Sequence, residues 1–139
     1  MYKFGLIGHP LGHSFSRQYF ADKFALLGLA KEYSYENFDL EHIGLIQQVL
    51  SENPELCGFN VTIPHKQTII PYLSAISEEA HAVGAVNCVK VTPQGLVGYN
   101  TDIVGIRKSL EGIALEGAKA LVLGTGGASK AVEYVLRER

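Results

Sequence analysis

The residues of this sequence best suited to acid–base chemistry are one lysine and one aspartate, each placed where an apolar run ends. Lys66 closes the segment Asn60–Lys66 (NVTIPHK), and Asp102 closes Gly98–Asp102 (GYNTD). A positioned amine or carboxylate that moves a proton typically accelerates a reaction by about 10²–10⁴-fold. Taken singly, each residue also has a simpler interpretation, since Lys66 is compatible with a solvated surface position and Asp102 with the N-cap of a helix.

Three further clusters carry side chains that can bind hydroxyl or carboxylate groups. Ser14 and Ser16 place two hydroxyls two residues apart, Asn60 and Thr62 share one face of an alternating segment, and Asn87 opens an otherwise apolar run. These groups can both donate and accept, which suits a polyol or a carboxylate ligand. The local alternatives are a helix cap for either serine and a turn position for Asn87.

A glycine-rich turn lies near the end of the sequence, within Ala120–Arg139 (ALVLGTGGASKAVEYVLRER). An apolar run precedes it and a helical pattern follows, as at the start of a dinucleotide-binding unit. Gly124 permits the tight turn, Gly126 lets the backbone approach a pyrophosphate, and Gly127 starts a helix whose dipole favours that anion. A complete βαβ unit needs about 30 residues, so we expect this chain to be part of a longer protein.

Composition bounds the class of protein. The chain has 139 residues, of which 47% are hydrophobic and 19% charged, a composition that is ordinary for a globular α/β protein. Its net charge of −2 provides no basic field for nucleic acid or anionic lipid. No apolar run of about 18 residues is present, so we expect no membrane span. The apolar run at the N-terminus is short and is broken by Pro10, so we also expect no signal peptide. Cys57 and Cys88 lack disulfide-framework or zinc spacing, and His65 has no second histidine at ligand spacing, so we expect no metal, a surface or capping histidine and a reducing cytoplasm.

Hydrophobic periodicity predicts alternating strands and helices. Ser77 is expected to cap a helix that begins with Glu78 and Glu79, and Thr92–Gly95 to form the turn of a hairpin. The predicted strands are Lys3–Gly8, Tyr33–Asp39, Cys57–Pro64, Asn87–Val91, Leu96–Tyr99 and Leu121–Gly124, and in the third of them Phe59, Val61 and Ile63 lie on one side. Four helices are predicted: one from Ser16, one over Ile43–Leu50, one after Ser77 and one from Asp102. The first helix has Phe20, Phe24 and Leu27 on one face, and the last has Ile103, Ile106 and Leu110 on one face.

This order of elements predicts an α/β fold. We expect a three-layer α/β domain with a mostly parallel sheet over residues 1–101, and over 102–139 a linker helix with the first β-α unit of an incomplete Rossmann domain. Open α/β sheets bind ligands at the carboxyl ends of their strands, where the four polar clusters are predicted to lie.

Five motifs in the same order resemble the shikimate dehydrogenase family: IGHPLGHSFS (Ile7–Ser16), NVTIPHK (Asn60–Lys66), GAVNC (Gly84–Cys88), GYNTD (Gly98–Asp102) and GTGGASKA (Gly124–Ala131). The resemblance covers the whole chain. It departs at Arg17, where the family usually has proline, and near Tyr19-Phe20, where the family has His-Asn.

The resemblance implies NADP-dependent, reversible reduction of 3-dehydroshikimate to shikimate, with the site between a substrate domain and a Rossmann domain. It implies that Lys66 and Asp102 form the catalytic pair and that Ser14 and Ser16 bind the carboxylate end of the substrate. The other residues implied are Asn60, Thr62 and Asn87, with Lys66 and Asp102, for the substrate, and Gly124, Thr125, Gly126, Gly127 and Ala128 for the cofactor.

Two alternatives share these motifs: a dual quinate/shikimate dehydrogenase, and a substrate-binding fragment without catalysis. We expect this chain alone to be inactive, because half of the cofactor site is missing. A lone strand at Leu121–Leu123 and an apolar helix face around Val132, Val135 and Leu136 would lack partners. We therefore expect a homodimer in which this last segment packs against another copy.

Overall fold

The structure, a computed structural model, describes every residue from Met1 to Arg139. Six strands and five α-helices alternate along most of the chain, which is the α/β class predicted from the sequence. In chain order the elements are β1 Tyr2–Gly8, α1 Ser16–Leu26, β2 Tyr33–Asp39, a 3₁₀ turn Ile43–Leu45, α2 Ile46–Glu52, β3 Leu56–Val61, a 3₁₀ turn Ile70–Tyr72, β4 Ala75–Ile76, α3 Glu78–Val83, β5 Cys88–Thr92, β6 Gly95–Tyr99, α4 Asp102–Ser109 and α5 Gly127–Arg137.

One mixed sheet carries all six strands in the order β2-β1-β3-β5-β6-β4. β1 lies in its interior and pairs in parallel with β2 and β3, and the short β4 pairs in parallel with β6. β5 runs antiparallel to both β3 and β6. The sheet is therefore mostly parallel, with one antiparallel strand whose start lies at the same edge as the end of β3.

Helices cover both faces of the sheet, which gives the predicted three layers. On one face Leu6 of β1 packs with Leu11 and Tyr35 beneath the aromatic side of α1. On the other face Ile7 packs with Ile46 and Val49 of α2. Successive residues of β1 thus serve opposite layers, because side chains alternate along a strand.

Several local predictions are confirmed. The hydroxyl of Ser77 accepts from the backbone N–H of Ala80 at 3.2 Å and caps α3, and Gly84 ends that helix with a φ of 76°. β5 and β6 form the predicted hairpin, in which Thr92 faces Gly95. The small strand β4 was not predicted, because two residues carry no periodicity.

Three predictions about the extent of strands and helices are wrong. Leu121–Gly124 does not form a strand, and the side chains of Leu121 and Leu123 are 84% and 85% exposed, because no other strand lies beside them to complete their hydrogen bonds. Ile63 does not join the buried row of Phe59 and Val61, because β3 ends at Val61. Leu27 lies beyond the end of α1 and is exposed.

Helix α5 packs on its own chain. Ala131 and Val135 are fully buried against Val83, Ala85 and Ile103 of α3, the following loop and α4. The helical part of the last segment therefore needs no second copy to cover its apolar face, contrary to the expectation from the sequence. None of the helices combines the length and the hydropathy that a membrane span requires.

Candidate active site

The site lies at one edge of the sheet, where three strand ends meet. Lys66 follows β3, Asn87 immediately precedes β5, and Asp102 follows β6 as the first residue of α4. Because β5 is antiparallel to β3 and β6, its start lies beside their ends; Cys88 pairs with Asn60 on one side and with Tyr99 on the other. The topology therefore brings together side chains that are far apart in sequence.

The amine of Lys66 donates to Asp102 Oδ2 at 2.7 Å. The lysine side chain is 16% exposed and the aspartate 31% exposed, so a cleft ligand can reach the pair while most of the lysine stem is covered. The backbone of Lys66 is also fixed, since its carbonyl accepts from the N–H of Val86 at 2.7 Å. The structure thus forms the lysine–aspartate pair that the sequence predicts.

His65 helps to hold the backbone of its neighbour Lys66. The sequence analysis expected a surface or capping histidine, but His65 is buried. Its Nε2 faces the carbonyl oxygen of Leu40. Because a carbonyl only accepts, Nε2 donates to Leu40, and Nδ1 lies 3.2 Å from the Thr68 hydroxyl. Both ring nitrogens are used inside the chain, so this histidine anchors the loop that carries Lys66.

Asn87 connects the pair to the start of α4. Its Nδ2 donates to Asp102 Oδ1 at 3.0 Å and to the Thr101 hydroxyl at 2.9 Å, and its Oδ1 accepts from the Thr101 backbone N–H at 2.7 Å. The residue is buried. Asn87 is therefore more than a turn residue, because its amide orients the carboxylate that holds Lys66.

Asp102 is not the N-cap of α4. The N-cap is Thr101, whose side chain makes no capping bond, and the N–H of Ile103 is instead satisfied by Asn100 Oδ1 at 3.3 Å. Asn100 is buried and also donates to the Ala85 carbonyl at 3.0 Å. Because Asn100 performs the capping, both oxygens of Asp102 are available to Lys66 and Asn87.

Ser14 and Ser16 lie in and just after the loop that links β1 to α1. The N-cap of α1 is Phe15, and no side chain caps the helix, so the alternative of a capping serine is wrong. The start of this loop lies against the segment after β3, where His9 N–H donates to the Ile63 carbonyl at 3.0 Å. Neither serine hydroxyl bonds within the chain, and the same holds for the Thr62 hydroxyl, which leaves all three free for a ligand.

Asp39 anchors that loop to the end of β2. Its Oδ1 lies 2.6 Å from Nδ1 of His9, and its Oδ2 accepts from the backbone N–H of Leu11 at 3.0 Å. The hydrogen bond from His9, with that from Leu11, holds the pKa of this carboxyl below its ordinary value. The charged form of Asp39 therefore fixes the loop that leads to Ser14.

Asn60, like Ser14, Ser16 and Thr62, makes no hydrogen bond to Lys66 or Asp102. Its Oδ1 accepts from the Tyr35 hydroxyl at 2.9 Å, and its Nδ2 lies 3.4 Å from the Asn87 carbonyl. Asn60 lines a mostly apolar cavity of about 410 Å³ beside α1, into which Cys88 also faces. Burial raises the pKa of both the Tyr35 phenol and the Cys88 thiol, so these groups stay neutral.

The glycine turn lies next to Lys66. Gly124 adopts a φ of 130°, which favours glycine, and a Cβ at Gly126 would meet no atom within 4 Å. The amide of Gln67 lies 3.4 Å from the Thr125 carbonyl, and no side chain caps the first turn of α5 at Gly127 and Ala128. An open glycine backbone at an uncapped helix N-terminus fits a dinucleotide pyrophosphate.

A charged cluster that the sequence analysis missed fixes α5. The guanidinium of Arg107 on α4 donates to Glu138 after α5, at 2.9 Å from Nε, and to Glu79 of α3 at 2.8 Å. These bonds raise the pKa of Arg107 and lower that of Glu138. Partners so far apart in sequence leave no periodic pattern, so only the fold reveals them.

Comparisons with known proteins identify the family. The family model described as the shikimate dehydrogenase substrate binding domain matches residues 6–89. The shikimate dehydrogenase (NADP(+)) of Staphylococcus aureus strain MSSA476 is 45% identical over 136 residues, which are 96% of this chain and 50% of that protein. The chain therefore spans about half the length of the curated relatives it matches.

Solved structures give the same result. Shikimate dehydrogenase 1 from Peptoclostridium difficile superposes with a TM-score of 0.86 at 37% identity, covering 99% of this chain and 53% of that one. The Thermus thermophilus shikimate 5-dehydrogenase in complex with NADP(H) and shikimate gives 0.83 at 39% identity, covering 99% and 52%. By its matched domain and its fold, the chain belongs to the shikimate dehydrogenase family.

Proposed function

We propose that this chain supplies the substrate-binding half, and the first part of the cofactor site, of an NADP-dependent shikimate dehydrogenase that reversibly reduces 3-dehydroshikimate to shikimate. The observation that carries the proposal is the 2.7 Å contact between Lys66 and Asp102 beside the glycine turn of α5. An acid–base pair next to a dinucleotide loop is what reduction of a ketone by hydride transfer requires.

In this proposal Lys66 moves the proton. NADPH supplies the hydride when it is bound, and the substrate oxygen that gains negative charge then needs a proton. The ammonium of Lys66, held on Asp102, is positioned to donate to that oxygen, and the neutral amine accepts the proton in the oxidation direction. Asp102 orients the amine, and Asn87 orients Asp102.

Three free hydroxyls support the assignment of the substrate. Ser14 and Ser16 are proposed to bind the carboxylate end of shikimate, and Thr62, with Asn87, its ring hydroxyls. Because none of these serine or threonine hydroxyls has a partner inside the chain, binding a polyol costs no internal hydrogen bond. Asn60 is proposed to support the site from behind, through Tyr35 and the Asn87 carbonyl.

The proposed NADP site includes Gly124, Thr125, Gly126, Gly127 and Ala128. The positive φ of Gly124, the open space at Gly126 and the uncapped start of α5 support a pyrophosphate at this turn. The curated relatives are named as NADP(+) enzymes, and one solved relative holds NADP(H) together with shikimate. This chain is proposed to share that cofactor.

The decisive experiment compares Lys66→Ala with Lys108→Ala in the full-length enzyme. We expect Lys66→Ala to lower the turnover of shikimate with NADP by about 10²–10⁴-fold while the KM for shikimate changes much less. Lys108 is exposed on α4 and serves as the matched control. An unchanged turnover for Lys66→Ala would remove this residue from the chemistry.

A dual quinate/shikimate dehydrogenase remains the second candidate, because the same motifs and the same pair serve either polyol. Assays of the full-length protein with shikimate and quinate, each with NADP and NAD, separate the two. We further propose that the 139-residue chain alone is a non-catalytic module that retains weak shikimate binding. Turnover by this chain alone would contradict that part of the proposal.

Three further proposals concern the setting of the protein. The exposed leucines Leu121 and Leu123 support self-association of this chain, because they follow one another along an unpaired backbone. Cys57 and Cys88 are both free thiols, which supports a reducing cytoplasm. The net charge of −2 supports a small-molecule partner rather than nucleic acid or an anionic membrane surface.

A further inference from the structure

Gly127, the first residue of α5, lies directly against the stem of Lys66. A Cβ built on Gly127 would lie 2.8 Å from Lys66 Cβ and 2.9 Å from Lys66 Cδ, and 3.4 Å from Ala85 Cβ. Separations below 3.0 Å are closer than real carbon contacts, so any side chain at position 127 forces a displacement. Two of the three nearest atoms belong to the lysine of the proposed catalytic pair.

The lysine cannot avoid such a side chain by rotating. Its Cβ is bonded to the backbone, so a change of rotamer moves Cδ but leaves Cβ in place. The backbone itself is fixed by the bond from Val86 N–H to the Lys66 carbonyl and by the buried ring of His65. A clash at Cβ therefore moves either the loop that carries Lys66 or the helix.

The helix is also fixed. Ala131 and Val135 of α5 are fully buried, and Arg107 connects the end of the helix to α3 and α4 through Glu138 and Glu79. With both sides held, an added methyl group must separate two anchored elements. The stem of Lys66 then leaves the position from which its amine reaches Asp102.

We propose that Gly127 is a positioning residue for Lys66, in addition to its place in the proposed cofactor turn. In a dinucleotide-binding turn the third glycine is ordinarily explained by close packing between helix and strand. Here Leu121–Gly124 is not a strand, and the atoms closest to Gly127 are those of Lys66. The backbone of the glycine turn thus forms one wall of the lysine's site.

The claim that Gly127 positions the Lys66 stem does not depend on the proposed function. The importance of that position for catalysis rests on the proposed function. The test uses the 139-residue chain without cofactor and compares Gly127→Ala with Gly126→Ala and Gly105→Ala. A Cβ meets nothing within 4 Å at either control position. Gly126 lies in the same turn, and Gly105 lies inside α4.

The first readout is the ¹⁵N resonance of the Lys66 ammonium, assigned by its loss in Lys66→Arg. Because this ammonium is held on Asp102, we expect its protons to exchange slowly with water in the wild type and in the controls Gly126→Ala and Gly105→Ala. In Gly127→Ala we expect them to exchange as fast as those of exposed lysines. The second readout is shikimate affinity by calorimetry, expected to fall about tenfold or more in Gly127→Ala alone among these glycine variants. If Gly127→Ala leaves both readouts as they are in the wild type, the proposal is overturned.

A double-mutant cycle keeps the test decisive if Gly127→Ala unfolds. Lys66→Gly removes both atoms that meet the new methyl group, so we expect the urea midpoint of Gly127→Ala to rise when Lys66→Gly is added. Additive effects of the two changes would overturn the contact. Rescue by Ala85→Gly instead would assign the clash to Ala85 and also overturn it. If the wild type shows the protected ammonium but binds no shikimate, the proposed function fails while the positioning role stands.

Discussion

The amide of Asn87 donates to Asp102 Oδ1 at 3.0 Å, on the carboxylate oxygen that Lys66 does not occupy. Lys66 and Asn87 therefore hold the two oxygens of one carboxylate from different sides. The amide oxygen of Asn87 accepts a hydrogen bond from the Thr101 backbone N–H. The orientation of Asp102 and the start of α4 therefore depend on one buried side chain. This arrangement sets the direction in which the lysine amine points.

Asn87→Ala is expected to lower both stability and activity. The change removes the half-buried bond to the Thr101 N–H, which costs about 0.5–1.5 kcal/mol, and it frees one oxygen of Asp102. Urea denaturation of this chain measures the first effect, and turnover of the full-length enzyme the second. Thr101→Val is the matched comparison, because it keeps the backbone bond to Asn87 Oδ1 and removes only the hydroxyl. Equal losses in the two variants would contradict the central role of Asn87.

Arg107→Ala is expected to loosen α5 without unfolding the sheet. It removes the contacts to Glu79 and Glu138, so hydrogen exchange of the Gly127–Arg137 amides is expected to accelerate several-fold while the strands keep their protection. Arg107→Lys is expected to fall between, because lysine keeps the charge but lacks the planar fork of donors.

Arg137→Ala is the control for this experiment. Arg137 is on α5 itself and pairs only with Glu133 one turn away, in an exposed i,i+4 contact. Its removal is expected to leave exchange nearly unchanged. If Arg137→Ala accelerated exchange as much as Arg107→Ala, a general effect of charge on α5 would explain the result and the cluster would have no special role.

The family resemblance implied the pair at the site, and the strand ends explain why its two members meet. Lys66 and Asp102 each follow an apolar run, and alternation placed those runs in a sheet. The roles of Asn100 and Asp102 at the start of α4 were not separable, because both residue types cap helices well. Only the bond from Asn100 Oδ1 to Ile103 N–H shows which of them does so.

Tertiary contacts account for the remaining differences. Leu121–Gly124 has the composition of a buried strand, yet a strand forms only where another backbone completes its hydrogen bonds. The contact between Gly127 and Lys66 joins two motifs that the sequence assigns to separate ligands. No spacing rule predicts it, because it arises from how α5 packs on α3 and α4.

Acid is expected to loosen the loop before α1 through Asp39. The folded state lowers the pKa of this carboxyl below its ordinary 3.8, so the stabilisation is complete above that value and is lost as the pH falls through the lowered one. Asp39→Asn should therefore unfold more easily than the wild type at about pH 7, and the difference should shrink as the pH falls below about 4. Urea midpoints across this range measure the effect.

The Leu11 amide reports on the same contact directly. Its bond to Asp39 Oδ2 is lost in Asp39→Asn, so its hydrogen exchange at neutral pH is expected to accelerate. Asp22→Asn, on the exposed side of α1, removes the same charge and should leave the Leu11 amide protected. A difference in stability that persisted unchanged into strong acid would show that the charge of Asp39 is not what holds the loop.

The double variant Leu121→Ser, Leu123→Ser is expected to weaken self-association of this chain at constant fold stability. Both leucines are almost fully exposed on a backbone with no strand partner, a combination that favours pairing between copies. Sedimentation velocity over a range of concentrations is expected to show less dimer, while the free energy of unfolding changes by less than about 0.5 kcal/mol. Leu26→Ser, at a leucine equally exposed on α1, is the control and should leave association unchanged. If the double variant associates as the wild type does, the Leu121–Leu123 segment is not the interface.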